Sequence, residues 1–136
     1  MWQWMGLFQN LRRLREMVRF VYGWGPRTHV GTGTLRELGW LQVADRARYF
    51  ALVHAFRIRK GLAPSYLCKG FVQVSGVHGH QTRGSAFDFH LSASDSPGSF
   101  SYYSKCQWND LPAQLKCIDS LAVFKVKLKQ HLMATY

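Results

Sequence analysis

Acidic residues are scarce in this sequence. Seven Asp and Glu stand among 136 residues, against eighteen Lys and Arg, and the formal net charge is +11. The seven acids are scattered, which excludes the closely paired carboxylates of a two-metal active site. The surplus of cations predicts an anionic partner, either nucleic acid or an anionic membrane surface. The alternatives are a merely solubilising surface, or a piece of a larger protein whose other parts balance the charge.

Cysteine is also sparse, since Cys68, Cys106 and Cys117 are the only three. An odd number of distant cysteines argues against a disulfide scaffold and for a reducing compartment. The sequence has no Cys-x-x-Cys and no helical His-x-x-x-His, and His78-Gly79-His80 is the nearest approach to a ligand pair. We therefore predict no metal and no other cofactor, and we interpret Cys106 and Cys117 as small buried hydrophobic residues.

Several other signatures are missing. The sequence contains no run of about 18 apolar residues, which a membrane span would need. It also contains no Gly-x-x-x-x-Gly-Lys-Ser/Thr loop, which is typical of a phosphate-binding enzyme. Gly31 and Gly33 are followed by no dinucleotide fingerprint. No local signature joins a cysteine to a histidine as nucleophile and base. We predict no catalytic residue, and hence a protein that is not an enzyme.

What the sequence does contain is typical of a folded globular protein. Hydrophobic residues make up 47% and aromatic residues 15%, and the length suggests one domain or part of a larger one. We predict a mainly α fold, a small bundle of amphipathic helices that forms a single basic module over residues 1–136. The helices are predicted at about 5–22, 44–60 and 120–133, with a loop and hairpin region at about 70–107.

Apolar periodicity supports these positions. In the first helix, Leu14 and Val18 lie on one face, and arginines occupy the opposite face. Gly61 predicts the end of the second helix. In the last helix, Phe124 and Leu128 belong to an apolar stripe at helical spacing, which predicts that this face packs into the core.

Between about residues 85 and 104, apolar and polar residues alternate. Phe87, Phe89 and Leu91 would share one face of a strand, and Phe100 and Tyr102 resume the alternation after a Pro-Gly turn. Two alternating runs around such a turn predict a β-hairpin inserted into the helical bundle.

The cations of the three helices are the candidate nucleic-acid-binding residues. Guanidinium groups suit phosphate oxygens because their N–H donors form a fork. At the end of the second helix, the structural alternative is that the cations only complement the helix dipole. The predicted set is Arg12, Arg13, Arg15, Arg19, Arg57, Arg59, Lys60, Lys125 and Lys129.

One segment resembles a known family. "LRELGWLQVADRARYFALVHAFRIRKGLAPSYL" is similar to the segment that follows the polymerase core in reverse transcriptases of non-LTR retrotransposons, the LINE-like elements of the Jockey type. The family pattern is Leu-x-x-Leu-x-Trp-Leu-Pro-Val, a helix opening with Arg, and then Gly-Leu-Ala-Pro-x-Tyr-Leu. The matching positions here are Leu35, Leu38, Trp40, Leu41, Val43, Arg46 and the whole of residues 61–67.

Two further segments extend the resemblance to about residues 9–132. "QNLRRLREMVRFVYG" looks like the family helix that begins with Gln-Asn and ends in Gly. Near the C-terminus, the family has Phe-Ser, then Trp-Asn-x-Leu-Pro, then Ser-Leu-x-x-Phe-Lys-x-x-Leu-Lys. The matches are Phe100-Ser101, Trp108-Asn109, Leu111-Pro112, Ser120-Leu121, Phe124-Lys125 and Leu128-Lys129.

The stretch from Trp108 to Pro112 is interpreted as a structural corner rather than a chemical site. Trp108 would be an apolar anchor, and Asp110 would cap the next turn by accepting from the N–H of Ala113. The chain departs from the family at Ser104-Lys105, where the family has Ala-Pro, and at Gln107, where it has Leu. It also has Gln42 in place of the family Pro. These departures predict looser packing.

The resemblance implies a truncated, non-catalytic fragment of a reverse transcriptase. The family's fingers and palm, with the aspartates that hold its metal ions, have no counterpart in this chain. The implied partners are RNA or DNA, bound without sequence preference, and the missing upstream polymerase domains. The implied location is nuclear or cytoplasmic.

Two alternatives remain. The first is that the N-terminal stretch, a basic amphipath with Trp2, Trp4 and Phe8, is an interfacial membrane helix or a mitochondrial presequence. The resemblance from Gln9 onwards favours an internal segment instead, and we expect no membrane-surface partner. The second alternative is a non-functional relic open reading frame that folds partially or not at all.

Overall fold

The computed structural model describes residues 2–74 and 87–135, with side chains from residue 9 onwards. Within these ranges the chain is mainly helical and has almost no strand, which confirms the mainly α fold class. The seven described helices are α1 Trp2–Tyr22, α2 Thr32–Glu37, α3 Val43–Arg59, α4 Ser65–Cys68, α5 Phe100–Asn109, α6 Ala113–Lys116 and α7 Leu121–Ala134.

The helices predicted at about 5–22, 44–60 and 120–133 correspond to α1, α3 and α7. Glycine ends α1, because Gly23 adopts a positive φ of 64° that costs other residues energy. The N–H of Trp24 donates to the carbonyl of Arg19 at 2.8 Å, and that of Gly23 donates to Phe20 at 3.2 Å. Gly61, with φ 68°, ends α3 with the same pair of bonds.

The predicted β-hairpin between about residues 85 and 104 is wrong in its second strand. Phe100 and Tyr102 lie in helix α5, whose N-cap is Ser99. The hydroxyl of Ser99 accepts from the N–H of Tyr102 at 3.2 Å, and this cap outweighs a weak alternation. Phe89 instead forms an isolated antiparallel bridge with Gln73. Residues 85 and 86 of the prediction lie outside the described residues.

Contacts divide the chain into two compact units. The first contains residues 1–47 and 132–136, and the second contains residues 48–131. In the first unit a small core forms around Val18, Val30 and Leu35, all buried. The single basic module predicted over residues 1–136 stays a prediction.

The core of the second unit is aromatic. Phe56 stacks on Phe124, with ring centroids 4.4 Å apart and an interplanar angle of 18°. Trp108 packs against both rings and against Phe89, at 5.8 Å from Phe89 and from Phe124. Since Phe124 and Leu128 are fully buried, the apolar stripe predicted in the last helix does face the core.

Trp108 and Asn109 clamp the backbone of residues 87–89. Nε1 of Trp108 donates to the carbonyl of Phe87 at 2.9 Å. The Asn109 amide accepts from the N–H of Phe89 at 2.9 Å and donates to its carbonyl at 3.0 Å. The corner is therefore structural, and its Trp-Asn pair fixes a segment that has little secondary structure of its own.

Asp110 does not cap the turn after the corner, contrary to the prediction. It is the C-cap of α5, where its own N–H donates to the carbonyl of Cys106 and the next N–H, that of Leu111, donates to the carbonyl of Trp108. The following helix, α6, has Pro112 at its N-cap and no side-chain cap. Because the α5 helix continues to Asn109, Asp110 is used at its end rather than at the start of the next helix.

Residues 104 and 105, where the chain departs from the family, are both buried, and the Ser104 hydroxyl has no hydrogen-bond partner among the described residues. The looser packing that these departures predict stays a prediction. The Lys105 side chain is 1% exposed and that of Asp95 is 12% exposed. Nζ of Lys105 lies 2.9 and 3.0 Å from the two carboxylate oxygens of Asp95. An ion pair thus allows a lysine to occupy a core position.

This ion pair makes stability sensitive to acid. The hydrogen bond from Lys105, followed by that from the backbone N–H of Ser92, lowers the pKa of Asp95 below its ordinary value of 3.8, although burial opposes the shift. Because the pKa of Asp95 is lower in the folded than in the unfolded protein, its ionised carboxylate stabilises the fold at pH values above the unfolded-state pKa. This stabilisation is lost as the pH falls through the folded-state pKa. Between about pH 7 and about pH 2, the free energy of unfolding measured with urea should decrease less for Asp95→Asn than for the wild type. Parallel curves for the two proteins would contradict the linkage.

Candidate nucleic-acid interface

The nine predicted cations fall into two groups, according to whether they contact other groups of the protein. Arg12, Arg19, Arg59 and Lys60 contact other groups of the chain. The others are exposed and have no ion-pair partner among the described side chains: Arg13, Arg15, Arg57, Lys125 and Lys129. These five therefore remain available to an external anion.

On α1, both partnered arginines keep most of their donors. Arg12 Nε lies 3.0 Å from Glu16 Oε1, one helical turn away, and both side chains are mostly exposed. Such a surface pair contributes little to stability and exchanges readily. Arg19 donates through Nε to the carbonyl of Thr28 at 2.9 Å, which uses one of its five N–H groups. Helix α1 thus presents four guanidinium groups, counting Arg13 and Arg15.

At the end of α3, Arg59 holds two parts of the second unit together. It donates to the carbonyl of Lys116, the last residue of α6. Its guanidinium carbon lies 4.3 Å from the centroid of the Phe87 ring, a cation–π contact. Burial lowers the pKa of Arg59, and the neighbouring Cys117 and Asp119 oppose that shift. These contacts favour a structural role for Arg59. The helix end that its charge complements is the C-terminus of α6, and not that of its own helix α3.

Lys60 is also bound within the protein. Its Nζ lies 2.5 Å from Oδ1 of Asp119, the residue two positions before α7. This hydrogen bond, and then the charge of Lys60, lowers the pKa of Asp119. The nucleic-acid role of Arg59 and Lys60 stays a prediction, and their geometry favours the structural alternative.

Helix α7 carries exposed lysines on two sides of an apolar surface. Lys125 and Lys129 are one turn apart, so they lie on the same side. Lys127, which the predicted set omitted, lines a shallow groove with Val123 and Val126. Both valines are about half exposed, at 45% and 59%.

Sequence reasoning missed a groove in the first unit. It has a volume of about 420 Å³ and combines cationic and aromatic side chains. Phe20 is 87% exposed and Trp24 is 37% exposed. The signal was present in the sequence, because Phe20 follows Glu16 by four residues and so lies on the arginine-bearing side of α1. The lining residues are Arg12, Glu16, Arg19, Phe20, Trp24 and Pro26.

The described residues contain no group of three His, Cys, Asp or Glu side chains that could hold a metal ion. His78 and His80 lie outside the described residues. Cys117 is exposed, so its interpretation as a buried hydrophobic residue was wrong, and Cys106 is only half-buried. Of the helices in residues 2–74 and 87–135, none has the length and apolar content to cross a bilayer.

Comparisons with protein-family models, curated proteins and solved structures find no match to this chain. The function is therefore argued from the charge and geometry of the two units, and the reverse-transcriptase resemblance stays an expectation from the sequence.

Proposed function

We propose that this chain binds RNA or DNA through the phosphate backbone, without sequence preference, and catalyses nothing. In origin it would be the C-terminal, post-palm part of a non-LTR retrotransposon reverse transcriptase. The observation that carries the binding proposal is the set of five exposed cations that lack a partner on the described surface. Cations without local counter-charges are the ones that gain most from neutralising phosphates.

The distribution of the acids supports the same proposal. Four of the seven are engaged by cations of the protein: Glu16 with Arg12, Asp88 with Lys116, Asp95 with Lys105, and Asp119 with Lys60. Two of the paired lysines, Lys105 and Lys116, are buried. More than half of the acids are thus already paired with cations of the protein, and they are not available to compensate the exposed cations that have no partner.

The same geometry argues against sequence reading. The five cations are long, flexible side chains on the exposed sides of α1, α3 and α7. Contacts of this kind position a protein on phosphates and carry no sequence information. We therefore expect homopolymers of different base composition to bind with similar affinity.

The test is a salt titration of binding to single-stranded RNA. If five phosphates are neutralised, the plot of log K against log salt has a slope of about −3.5 for a single strand. Affinity then falls about 100-fold between about 50 and 200 mM salt. Fluorescence anisotropy with a labelled homopolymer of about 20 nucleotides measures both the slope and the loss of affinity.

Two variants of the five cations sharpen the test. Changing Arg13, Arg15, Arg57, Lys125 and Lys129 to Gln should flatten the slope and weaken binding. A matched variant that exchanges Arg for Lys, and Lys for Arg, at the same positions keeps the charge and should keep the slope. Affinity that does not depend on salt, or a Gln variant that binds like the wild type, would refute the proposal.

The same purified protein also decides between the alternatives. Anionic vesicles replace RNA in one arm of the titration, and tighter binding to vesicles than to RNA would favour the membrane-surface alternative. A circular dichroism melt without a cooperative transition would favour the relic that does not fold.

A further inference from the structure

The exposure of Phe20 needs an explanation beyond its presence on the surface. It is the most exposed of the large hydrophobic residues that the structure describes, at 87%. Single exposed hydrophobic residues are common and by themselves indicate nothing. Phe20 differs because it lines the same groove as two arginines, Arg12 and Arg19.

A second aromatic ring forms part of the groove and is held in place. Trp24 stacks on Tyr22, with ring centroids 4.6 Å apart and an interplanar angle of 19°. The Tyr22 hydroxyl in turn donates to Oε2 of Glu37 at 3.4 Å. The backbone bond from Trp24 to Arg19 at the end of α1 fixes the approach of the chain. A ring fixed in this way loses little conformational entropy when a ligand packs on it.

The chemistry of the lining selects the occupant. Two guanidinium groups outweigh the one carboxylate of Glu16 and attract an anion, and the rings of Phe20 and Trp24 attract a flat π system. An apolar helix or lipid chain would have to desolvate Arg12, Glu16 and Arg19, which is costly. A nucleotide offers both required parts, because its phosphate is anionic and its base is flat.

We propose that this groove on α1 binds an unpaired nucleotide of single-stranded nucleic acid, with its base stacked on Phe20 and its phosphate on Arg12 or Arg19. The proposal rests on the nucleic-acid binding proposed above and specifies the strand state. Base-paired nucleotides already stack on their neighbours, so a duplex cannot offer a free base face to Phe20. The groove should therefore make single strands bind more tightly than the phosphate contacts alone would.

Three oligonucleotides of equal length separate phosphate contacts from stacking. They are a single-stranded homopolymer, an abasic strand with the same phosphates but no bases, and a duplex. Single-stranded RNA and DNA are both included in the first arm, since either supplies the unpaired base. The wild type should bind the homopolymer more tightly than the abasic strand. Phe20→Ala should weaken homopolymer binding about 5- to 100-fold and leave abasic and duplex binding unchanged.

The controls use the high exposure of Phe20, since an exposed residue can be changed without unfolding the protein. Phe20→Trp keeps an aromatic face and should retain homopolymer binding. Val126→Ala removes exposed apolar surface at a residue that does not line the groove, and should change none of the three affinities. Circular dichroism verifies that each variant keeps its helices.

The outcomes distinguish this proposal from the one on which it rests. If the wild type binds none of the three oligonucleotides, the nucleic-acid function itself fails. If it binds all three equally and Phe20→Ala changes nothing, only the stacking site is refuted. If Phe20→Ala weakens binding to anionic vesicles and to no strand, a membrane surface is the occupant and the proposal is overturned.

Discussion

Replacing Trp108 with alanine is expected to reduce the free energy of unfolding by about 3–5 kcal/mol. Trp108 is fully buried and packs against Phe56, Phe89 and Phe124, so its removal leaves a large cavity in the aromatic core. It also leaves the carbonyl of Phe87 without the indole N–H that donates to it. Urea unfolding followed by circular dichroism measures the loss.

Two further variants separate the causes. Trp108→Phe keeps much of the ring packing but removes the indole N–H, and should cost about 0.5–1.5 kcal/mol for the lost hydrogen bond to the carbonyl of Phe87. Tyr66→Ala removes an aromatic side chain that is 70% exposed, and should change stability by less than about 0.5 kcal/mol. A loss for Trp108→Ala no larger than that for Tyr66→Ala would show that the corner does not anchor the core.

The parts of the fold that were predictable are those that local sequence determines. The α1 and α3 helices end where glycine alone tolerates the left-handed conformation, and Phe124 and Leu128 face the core at the spacing of a helix. The prediction of a second hairpin strand was wrong for a reason that is also local. The hydroxyl of Ser99 caps a helix, a signal that outweighs two alternating aromatic residues.

What was not predictable depends on residues that are distant in the sequence. Arg59 and Lys60 looked like free cations at a helix end, yet their partners lie 57 and 59 residues away. Asn109 clamps a segment that precedes it by 20 residues. No periodicity encodes such pairs, so the sequence could not show that these side chains contact distant parts of the chain.

If the binding proposal holds, charge has two different roles in this chain. Lys105 and Lys116 are buried and neutralised by aspartates, and they stabilise the second unit. The cations without partners contribute nothing comparable to stability, and their like charges repel one another. Substitutions should therefore divide cleanly, with buried lysines affecting unfolding and exposed cations affecting binding.

The buried pair of Lys116 and Asp88 gives the second large effect. Nζ of Lys116 lies 2.6 Å from Oδ1 of Asp88 and 2.8 Å from the carbonyl of Asn109. The two side chains are only 4% and 18% exposed. Lys116→Ala removes one partner and leaves a largely buried carboxylate uncompensated, so it should cost about 3–5 kcal/mol. Urea unfolding at neutral pH measures the loss.

A double-mutant cycle shows whether the loss comes from the unpaired charge. Removing both charges, with Asp88→Asn and Lys116→Met together, should cost less than Lys116→Met alone, because no buried carboxylate is then left without a partner. Lys60→Met is the matched control, since it breaks a pair whose aspartate, Asp119, is 91% exposed, and it should change stability little. If both lysine variants lose the same stability, burial does not distinguish the two pairs. The division between structural and binding cations would then fail.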